Sequence, residues 1–443
     1  MSFPDLTIDR IETTFKELVR DVNRTSASTR NGWVFFLALH VYFFVALAGI
    51  THRDLLLDAP IALPLLQVRI GLKSFFLFGP VILVLIHMGI LLQHVMLARQ
   101  ARDLHSRVTS FEGTGLFRTH PVRIQLHPYF FTQLIAGPQR SPLFAFFLAL
   151  LTWLSLGILP VVLLLGFQTT FLPYHDLSVT WAQRIYLVLD ILMLTIFAGF
   201  MRHPALSFVG GFGRTIVERP LGFLLSFMLG VGAMFFALSL ATIPDERMDR
   251  AMTSLMPVKI PVEAQGEYGP PRQAFWLTAM IFERGVDPLS GRPAGPFARN
   301  LVVTDEDLVA DSDSNGRGPR LNLRRRDLRY GTFDRSDLHR ADLTGAVLTR
   351  ASLRETNLVE AKAEKAIFRG ADFHRARFMM DASAGGPVTG IDLRGADLRR
   401  ANLAEANLRG ADLQGALFEG ADLRGAQMDT EAAAEATRQG AKF

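Results

Sequence analysis

Four ionisable residues lie inside strongly apolar stretches of this sequence, where such residues are costly and often functional. His40 is near the middle of the first apolar run, His87 and His94 are seven residues apart in the second, and Asp190 is in the fourth. Imidazole and carboxylate groups in this setting could form a proton relay or an ion path. The interpretation we favour is that they hydrogen-bond between helices and clamp a bundle.

The sequence gives little support to metal, cofactor or nucleotide chemistry. It contains no cysteine, which excludes disulfides, iron–sulfur clusters and thiolate zinc sites. A metal site formed by His87 and His94 alone is a minor alternative, because the closely spaced histidine motifs of membrane di-iron oxygenases are missing. Residues 210–214 (GGFGR) lack the Lys and Ser/Thr of a phosphate loop, so we interpret them as a flexible turn between helices. We expect a non-enzymatic protein without a cofactor.

A basic loop at 117–140 is the second candidate site. Anionic lipid headgroups attract such loops with about 1 kcal/mol per charge, and a soluble anionic ligand is the weaker alternative. Histidines of this loop would also be the acid–base candidates of a lipid-modifying enzyme, a third and less favoured function. The candidate headgroup or anion contacts are Arg118, His120, Arg123, His127 and Arg140.

Membrane-spanning helices must position these residues. The 443 residues are 49% hydrophobic, too apolar for an ordinary water-soluble protein. A helix needs about 20 apolar residues to cross about 30 Å of hydrocarbon. Segments that approach this length are 32–50, 74–97, 142–167, 185–201 and 221–243. The fourth segment is the least certain span, because it is short and contains Asp190.

The distribution of basic residues predicts the orientation. Arginines and lysines are concentrated before the first span and in the second and fourth loops, so the segment 1–31 is predicted to be cytoplasmic. Five spans within 32–243 then place the C-terminal domain outside the bacterial inner membrane, in the periplasm or beyond. If the Asp190 segment does not span, that domain is cytoplasmic instead.

Residues 244–300 are predicted to be a connector with short structured segments. They contain eight prolines around one apolar stretch at 274–282. Alternating apolar and polar residues at 61–70 and 257–262 predict short strands beside the membrane, with interfacial loops as the alternative.

A repeat with a period of five residues is the strongest pattern in the sequence. Triplets of a small, a polar and a large residue, such as Ala401-Asn402-Leu403, recur between Leu323 and Met428. This period directs the large and the small residue inward and the other three toward water. The segment 381–390 keeps the five-residue count, so we interpret it as two distorted repeats and not as an insertion.

These triplets resemble the pentapeptide-repeat family, whose consensus is A(D/N)Lxx. The resemblance covers about 110 residues and implies a right-handed, four-sided β-helix. The predicted fold is thus an α-helical transmembrane bundle of about five spans, this solenoid over 301–428, and a capping helix within 429–443 with Thr430 as its N-cap. The predicted solenoid core contains Leu323, Leu328, Phe333, Leu338, Leu343, Leu348, Leu353, Leu358, Phe368, Phe373, Phe378, Leu393, Leu398, Leu403, Leu408, Leu413, Phe418 and Leu423.

The predicted function is that of a membrane-anchored scaffold or protein-interaction module. Its partners would be the lipid bilayer and another protein or a second copy of the chain. Nucleic-acid binding or mimicry is not expected, because 47 basic residues and 42 acidic residues are interspersed. The membrane half is also similar to bacterial proteins that join several spans to a pentapeptide solenoid, through residues 63–68, 127–133 and 297–301. The alternative is a subunit of an oligomeric channel or transporter whose path is lined by His40, His87, His94 and Asp190.

Overall fold

The computed structural model describes residues 5–63, 68–112, 120–138, 141–202, 208–260, 272–287, 290–308, 321–379 and 390–443. The chain divides into two compact units. The helical unit comprises Met1–Gly49, Leu77–Phe167 and Ala182–Phe235. The solenoid unit comprises Ile50–Phe76, Gln168–Trp181 and Phe236–Phe443.

Five helices in the described part of the chain are long and apolar enough to cross a membrane: Thr13–Ala48, Leu72–Ser110, Pro142–Tyr174, Leu177–Arg202 and Pro220–Leu240. They correspond to α1 (Asp5–Ala48), α3 (Leu72–Glu112), α6 and α7 (Pro142–Trp153 and Leu159–Phe171), α8 (Leu177–Arg202) and α10 (Pro220–Phe235). The helix that contains Asp190 has 26 residues, which is enough for a span. Large apolar side chains such as Val45, Leu85 and Leu224 are exposed on these helices, as they are on surfaces that face lipid.

Residues 5–31 of the N-terminal segment continue into the first candidate span as one helix, α1. Its residues Phe15, Val19 and Val22 recur at helical spacing and are buried. They share a core with the C-terminal half of α3, including Leu97 and Leu104, and with the short helices α4 (His120–Ile124) and α5 (Phe130–Ala136). This amphipathic pattern lies among charged residues, which is why a search for apolar runs does not detect it.

The prediction of a flexible turn at 210–214 is wrong, since these residues lie within α9 (Phe208–Glu218). Helix α9 is amphipathic, with Val209 and Val217 strongly exposed and an ion pair of 2.8 Å between Arg214 and Glu218. Apolar side chains at helical spacing favour an interfacial helix and outweigh the helix-weakening effect of the glycines.

Short elements form the base of the solenoid unit. Both stretches that were predicted as strands, 61–70 and 257–262, contain a strand. The first two strands pair with each other, and so do the last two, in both cases antiparallel. The elements are α2 (His52–Leu57), β1 (Ile61–Leu63), β2 (Val68–Ile70), a 3₁₀ turn (Leu172–Tyr174), α11 (Arg247–Leu255), β3 (Pro257–Lys259), β4 (Gln273–Phe275) and α12 (Trp276–Phe282). Leu172, Leu240, Phe275 and Phe282 pack in one core. The described part of the predicted connector, 244–260, 272–287 and 290–300, therefore packs with the other short elements, and together they are called the collar hereafter.

The repeats stack through single parallel bridges. Partners are 20 residues apart, as in Thr332↔Ser352 and Ser352↔Asp372, and four such ladders follow one another at five-residue intervals. At each corner the chain turns tightly, with the Arg326 N–H donating to the Leu323 carbonyl at 3.2 Å. Arg325 in this turn has a φ of 54°, a left-handed conformation that recurs at the same repeat position.

Side chains of the predicted core residues fill the interior of this stack. They are buried throughout, except for Leu413, which is only half-buried. Close stacking of coils at about 4.8 Å leaves little slack inside. Leu413 lies near the C-terminal end of the repeats, where fewer coils remain to cover it.

The interpretation of 381–390 as two distorted repeats is wrong. Bridge partners across this segment are 30 residues apart, as in Lys362↔Asp392, and the spacing returns to 20 at Asp392↔Asp412. Met379 and Gly390 pair with each other in antiparallel fashion, so the chain leaves and re-enters the coil at one place. Residues 380–389 lie outside the described part of the chain. An insertion of ten residues preserves a five-residue count, which is why the pattern did not reveal it.

The C-terminal end of the stack is covered by α13 (Thr430–Arg438). Its N-cap is Asp429, so the assignment of Thr430 to that position is wrong. Gln439, which follows the helix, accepts from the Phe418 N–H at 2.8 Å and donates to the Ala416 carbonyl at 3.3 Å. The side-chain amide thus takes the place of backbone groups that a further coil would supply.

Candidate functional site

His87 and Asp190 are in direct contact within the helical unit. Nδ1 of His87 lies 2.6 Å from Oδ1 of Asp190, and their side chains are only 0% and 1% exposed. Nε2 of His87 lies 3.0 Å from the carbonyl oxygen of Leu156. Phe36 stacks on the His87 ring and contacts His40 edge-on. Three helices, α1, α3 and α8, therefore contribute to one buried cluster.

The Leu156 carbonyl is available to His87 for a local reason. Its donor in a regular α-helix would be the N–H of residue 160, which is a proline and has none. The backbone at Leu154–Ile158 adopts a π-helical turn between α6 and α7, and such turns are frequent at functional sites. His87 thus binds a carbonyl whose regular α-helical donor is missing.

This geometry determines how many protons the pair holds. A carbonyl oxygen only accepts hydrogen bonds, so Nε2 of His87 must carry a proton. A bare Nδ1 and a carboxylate would repel each other at 2.6 Å, so a second proton lies between them. The pair is either imidazolium with carboxylate or imidazole with carboxylic acid. The pair can therefore hold a proton and hydrogen-bond α3 to α8.

His94 does not join this cluster. Its Nδ1 lies 2.8 Å from the Ile90 carbonyl and its Nε2 lies 2.8 Å from the Tyr129 hydroxyl, all within the helical unit. The four-residue cluster expected from the sequence is thus divided, with His40, His87 and Asp190 in one place and His94 in another. Among the described residues, no three His, Asp or Glu side chains are grouped closely enough to hold a metal ion.

The basic loop differs from its predicted role at one position. Arg123 is buried and donates to the Ala136 carbonyl at 3.1 Å and to Thr109 Oγ1 at 3.2 Å, so its assignment as a headgroup contact is wrong. An arginine that satisfies several backbone and hydroxyl oxygens holds the loop together. His127 is partly buried, and burial together with the charge of Arg30 lowers its pKa. Arg118, Arg140 and the side chain of His120 lie outside the described residues.

Sequence reasoning missed a buried charge cluster in the solenoid unit, hereafter the collar cluster. Arg299 is 0% exposed and contacts Asp249 at 2.6 Å and Glu283 through its Nε. Arg272 lies 3.3 Å from Glu283 and packs over the Tyr330 ring. Burial opposes ionisation of Glu283, but Arg299 and Arg272 outweigh it and hold its pKa below the ordinary value. The cluster joins collar residues far apart in sequence, so no local spacing indicated it.

One face of the solenoid carries a groove of about 370 Å³, hereafter the solenoid groove. Equivalent positions in three successive coils line it, and its charges are partly paired, with Arg340 at 2.8 Å from Glu360 and His339 at 2.9 Å from Asp337. The remaining lining residues are Asn357, Val359, Arg377 and Met379. The groove thus combines mixed charge with two apolar side chains.

The repeats match the sequence pattern of the family described as Pentapeptide repeats in eight copies, over residues 321–354, 346–379 and 389–428. Several solved structures are similar to part of the chain. A pentapeptide repeat protein from the cyanobacterium Cyanothece 51142 is 26% identical over 29% of this chain and 80% of its own, with a TM-score of 0.19. Another from Nostoc PCC 7120 is 32% identical over 24% of this chain and 83% of its own, with a TM-score of 0.15.

A pentapeptide repeat protein from the thylakoid lumen of Arabidopsis thaliana is 26% identical over 23% of this chain and 71% of its own, with a TM-score of 0.13. No curated protein sequence matches this chain. With eight matched copies whose large residues lie inside a stack of 20-residue coils, the chain belongs to the pentapeptide-repeat family.

Proposed function

We propose that this protein is a non-catalytic, membrane-anchored scaffold that presents a pentapeptide-repeat solenoid to a protein partner. The solenoid groove carries this proposal, because it is a recessed surface built from equivalent positions of three coils. Repeat proteins commonly use such surfaces for binding. We further infer that the four bridge ladders are the sides of a right-handed quadrilateral β-helix.

The other faces of the solenoid support this assignment by their charge. Arginines there pair with the carboxylate two residues earlier, as in Arg394 with Asp392 at 2.8 Å and Arg424 with Asp422 at 2.6 Å. Paired surface charges contribute little to affinity individually. They also prevent a continuous field of one sign, which disfavours nucleic acid as the partner.

The first coil is attached to the segment that follows the first candidate span. Helix α2 begins at His52, four residues after α1 ends. The Val302 N–H donates to His52 Nδ1 at 2.9 Å, and Arg326 donates to the carbonyls of Leu55 and Leu56 at 3.3 and 3.4 Å. These contacts fix the solenoid to its base, so a partner would meet a rigid surface.

The proposed location is the bacterial inner membrane, with the N-terminus in the cytoplasm and the solenoid outside. Resistance to alkaline carbonate extraction tests the membrane anchoring. Protease digestion of a C-terminal tag in intact spheroplasts tests the side, since an external solenoid loses its tag and a cytoplasmic one keeps it.

Photo-crosslinking in living cells tests the groove. A benzophenone amino acid replaces Arg377 in the groove or Leu417, which occupies the same repeat position on the opposite face. We expect a discrete crosslinked partner from position 377 and none from position 417. Equal or absent adducts from both positions, in a chain that resists carbonate extraction, would refute the scaffold proposal.

Proton or cation passage is a second candidate function, favoured by one observation in the helical unit. Asp190 Oδ2 and His40 Nε2 are buried without a hydrogen-bond partner among the described residues. In proteoliposomes, loss of flux in Asp190→Asn with an unchanged melting temperature would support passage. Absence of flux in the unsubstituted protein would assign the cluster to helix clamping alone, and Glu218→Gln, an exposed change, is the control.

A further inference from the structure

Three parts of the solenoid unit line an open recess of about 540 Å³, hereafter the junction cavity. Lys73, the second residue of α3, forms one wall. Residues between Tyr174 and Trp181, around the start of α8, form another. Arg325, Arg326 and Asp327 line it from the first two repeats after residue 320.

The ends of three candidate spans lie beside this cavity, so the proposed membrane anchoring would bring it near the lipid headgroups. Leu72–Ser110 begins beside Lys73, Pro142–Tyr174 ends at the cavity, and Leu177–Arg202 begins in its wall. Helices that cross a bilayer end where hydrocarbon gives way to headgroups. Trp181 in the wall is substantially exposed, and tryptophan and tyrosine are enriched at this depth.

Positive charge in the cavity exceeds negative charge. Asp176 is already engaged, because it lies 3.0 Å from Lys73 Nζ and accepts from the N–H groups at the start of α8. Asp327 is engaged by Arg329 at 2.7 Å. In the described part of the chain, Arg325 and Arg326 make no ion pair with a carboxylate.

Arg326 is held in place as a donor. Its guanidinium carbon lies 3.9 Å from the centre of the Tyr174 ring, and its Nη atoms donate to backbone carbonyls. Its Nε is buried and has no hydrogen-bond partner. A stacked guanidinium loses little freedom when it binds a planar or tetrahedral oxyanion.

We propose that the junction cavity binds a phosphoryl group through Arg326, Arg325 and Lys73, either on an anionic lipid headgroup or as free phosphate. This inference rests on the proposed membrane anchoring, which places the cavity at headgroup depth. Binding there would link the base of the solenoid to the lipid surface.

Native mass spectrometry of the full chain, with phosphatidylglycerol or phosphatidylcholine added in detergent, tests the site. The variant is Lys73→Gln combined with Arg325→Gln, and Arg326 stays because it supports the fold. Arg324→Gln is the matched control, since this neighbouring arginine does not line the cavity. We expect phosphatidylglycerol to bind more tightly than phosphatidylcholine, and about fivefold weaker binding for each charge removed.

Inorganic phosphate distinguishes the two sources. Displacement of phosphatidylglycerol by millimolar phosphate would identify free phosphate as a competent ligand, and retention of the lipid would identify the headgroup. Equal binding of the two lipids, or equal losses in the double variant and Arg324→Gln, would overturn the inference. The lipid-binding measurements do not depend on carbonate extraction. A failure of the proposed membrane anchoring would therefore appear in the extraction experiment and not in these measurements.

Discussion

Replacing Arg299 by methionine tests whether the collar cluster holds the solenoid unit together. Methionine has a similar length but no charge. In the variant, the buried carboxylates of Asp249 and Glu283 lose their common partner, and only Arg272 remains, at 3.3 Å from Glu283. Removing one member of a buried ion pair costs about 3–5 kcal/mol, because the remaining charge stays desolvated.

Thermal unfolding of the full chain in detergent, followed by circular dichroism, measures this loss. A domain of about 150–250 residues loses about 2–4 °C per kcal/mol, so the solenoid unit should melt roughly 6–20 °C lower. Arg438→Met is the matched control, since the side chain of Arg438 is 72% exposed and pairs with Glu435 on the surface of α13. Its effect should stay within about 0.5 kcal/mol.

The effect of Arg299→Met should also depend on pH. In the unsubstituted protein the pKa of Glu283 is held below its ordinary value, so its ionised form stabilises the fold above about pH 4.3. This stabilisation is lost as pH falls through the lowered pKa. The difference in melting temperature should therefore be largest near pH 7 and shrink in acid. A variant that melts within 2 °C of the parent at pH 7, or whose deficit is constant with pH, would refute the reasoning.

Three further changes test other parts of the fold. Gln439→Ala removes the acceptor of the Phe418 N–H. The Phe418 amide hydrogen should then exchange faster with solvent, and the free energy of unfolding should fall by about 1–3 kcal/mol. An unchanged exchange rate would contradict this. Burial lowers the pKa of His52 to about 4, so its neutral ring stabilises the fold above about pH 6.5. This contribution is lost as pH falls toward 4. His52→Gln should therefore weaken the fall of the melting temperature between pH 6.5 and 4, and an equally steep fall would disprove the role of His52. Gly390→Ala should lower the melting temperature because a Cβ would overlap the backbone of the neighbouring coil. Deletion of 380–389 should preserve the stack. Melting of Gly390→Ala at the parent temperature, or collapse of the deletion variant, would show that the ten-residue insertion is misassigned.

Local composition determined much of the architecture. Five long helices follow from apolar runs, because a helix satisfies its backbone hydrogen bonds within its own segment. The coil stack follows from a period of five, because each large residue must face the same interior. Neither result requires knowledge of which distant residues meet, and both were predictable from the order of residue types along the chain.

Only the tertiary structure decided which buried polar residues meet. The link between His87 and Asp190 was one of several pairings open to four buried polar residues, and His87 also lies within hydrogen-bond distance of the Leu156 carbonyl. The collar cluster unites Asp249 and Arg299 across fifty positions, with no periodic signal. The insertion of ten residues before Gly390 is a whole multiple of the repeat. Sequence periodicity reports which side of a segment is buried, whereas partner choice depends on distances that only folding of the whole chain creates.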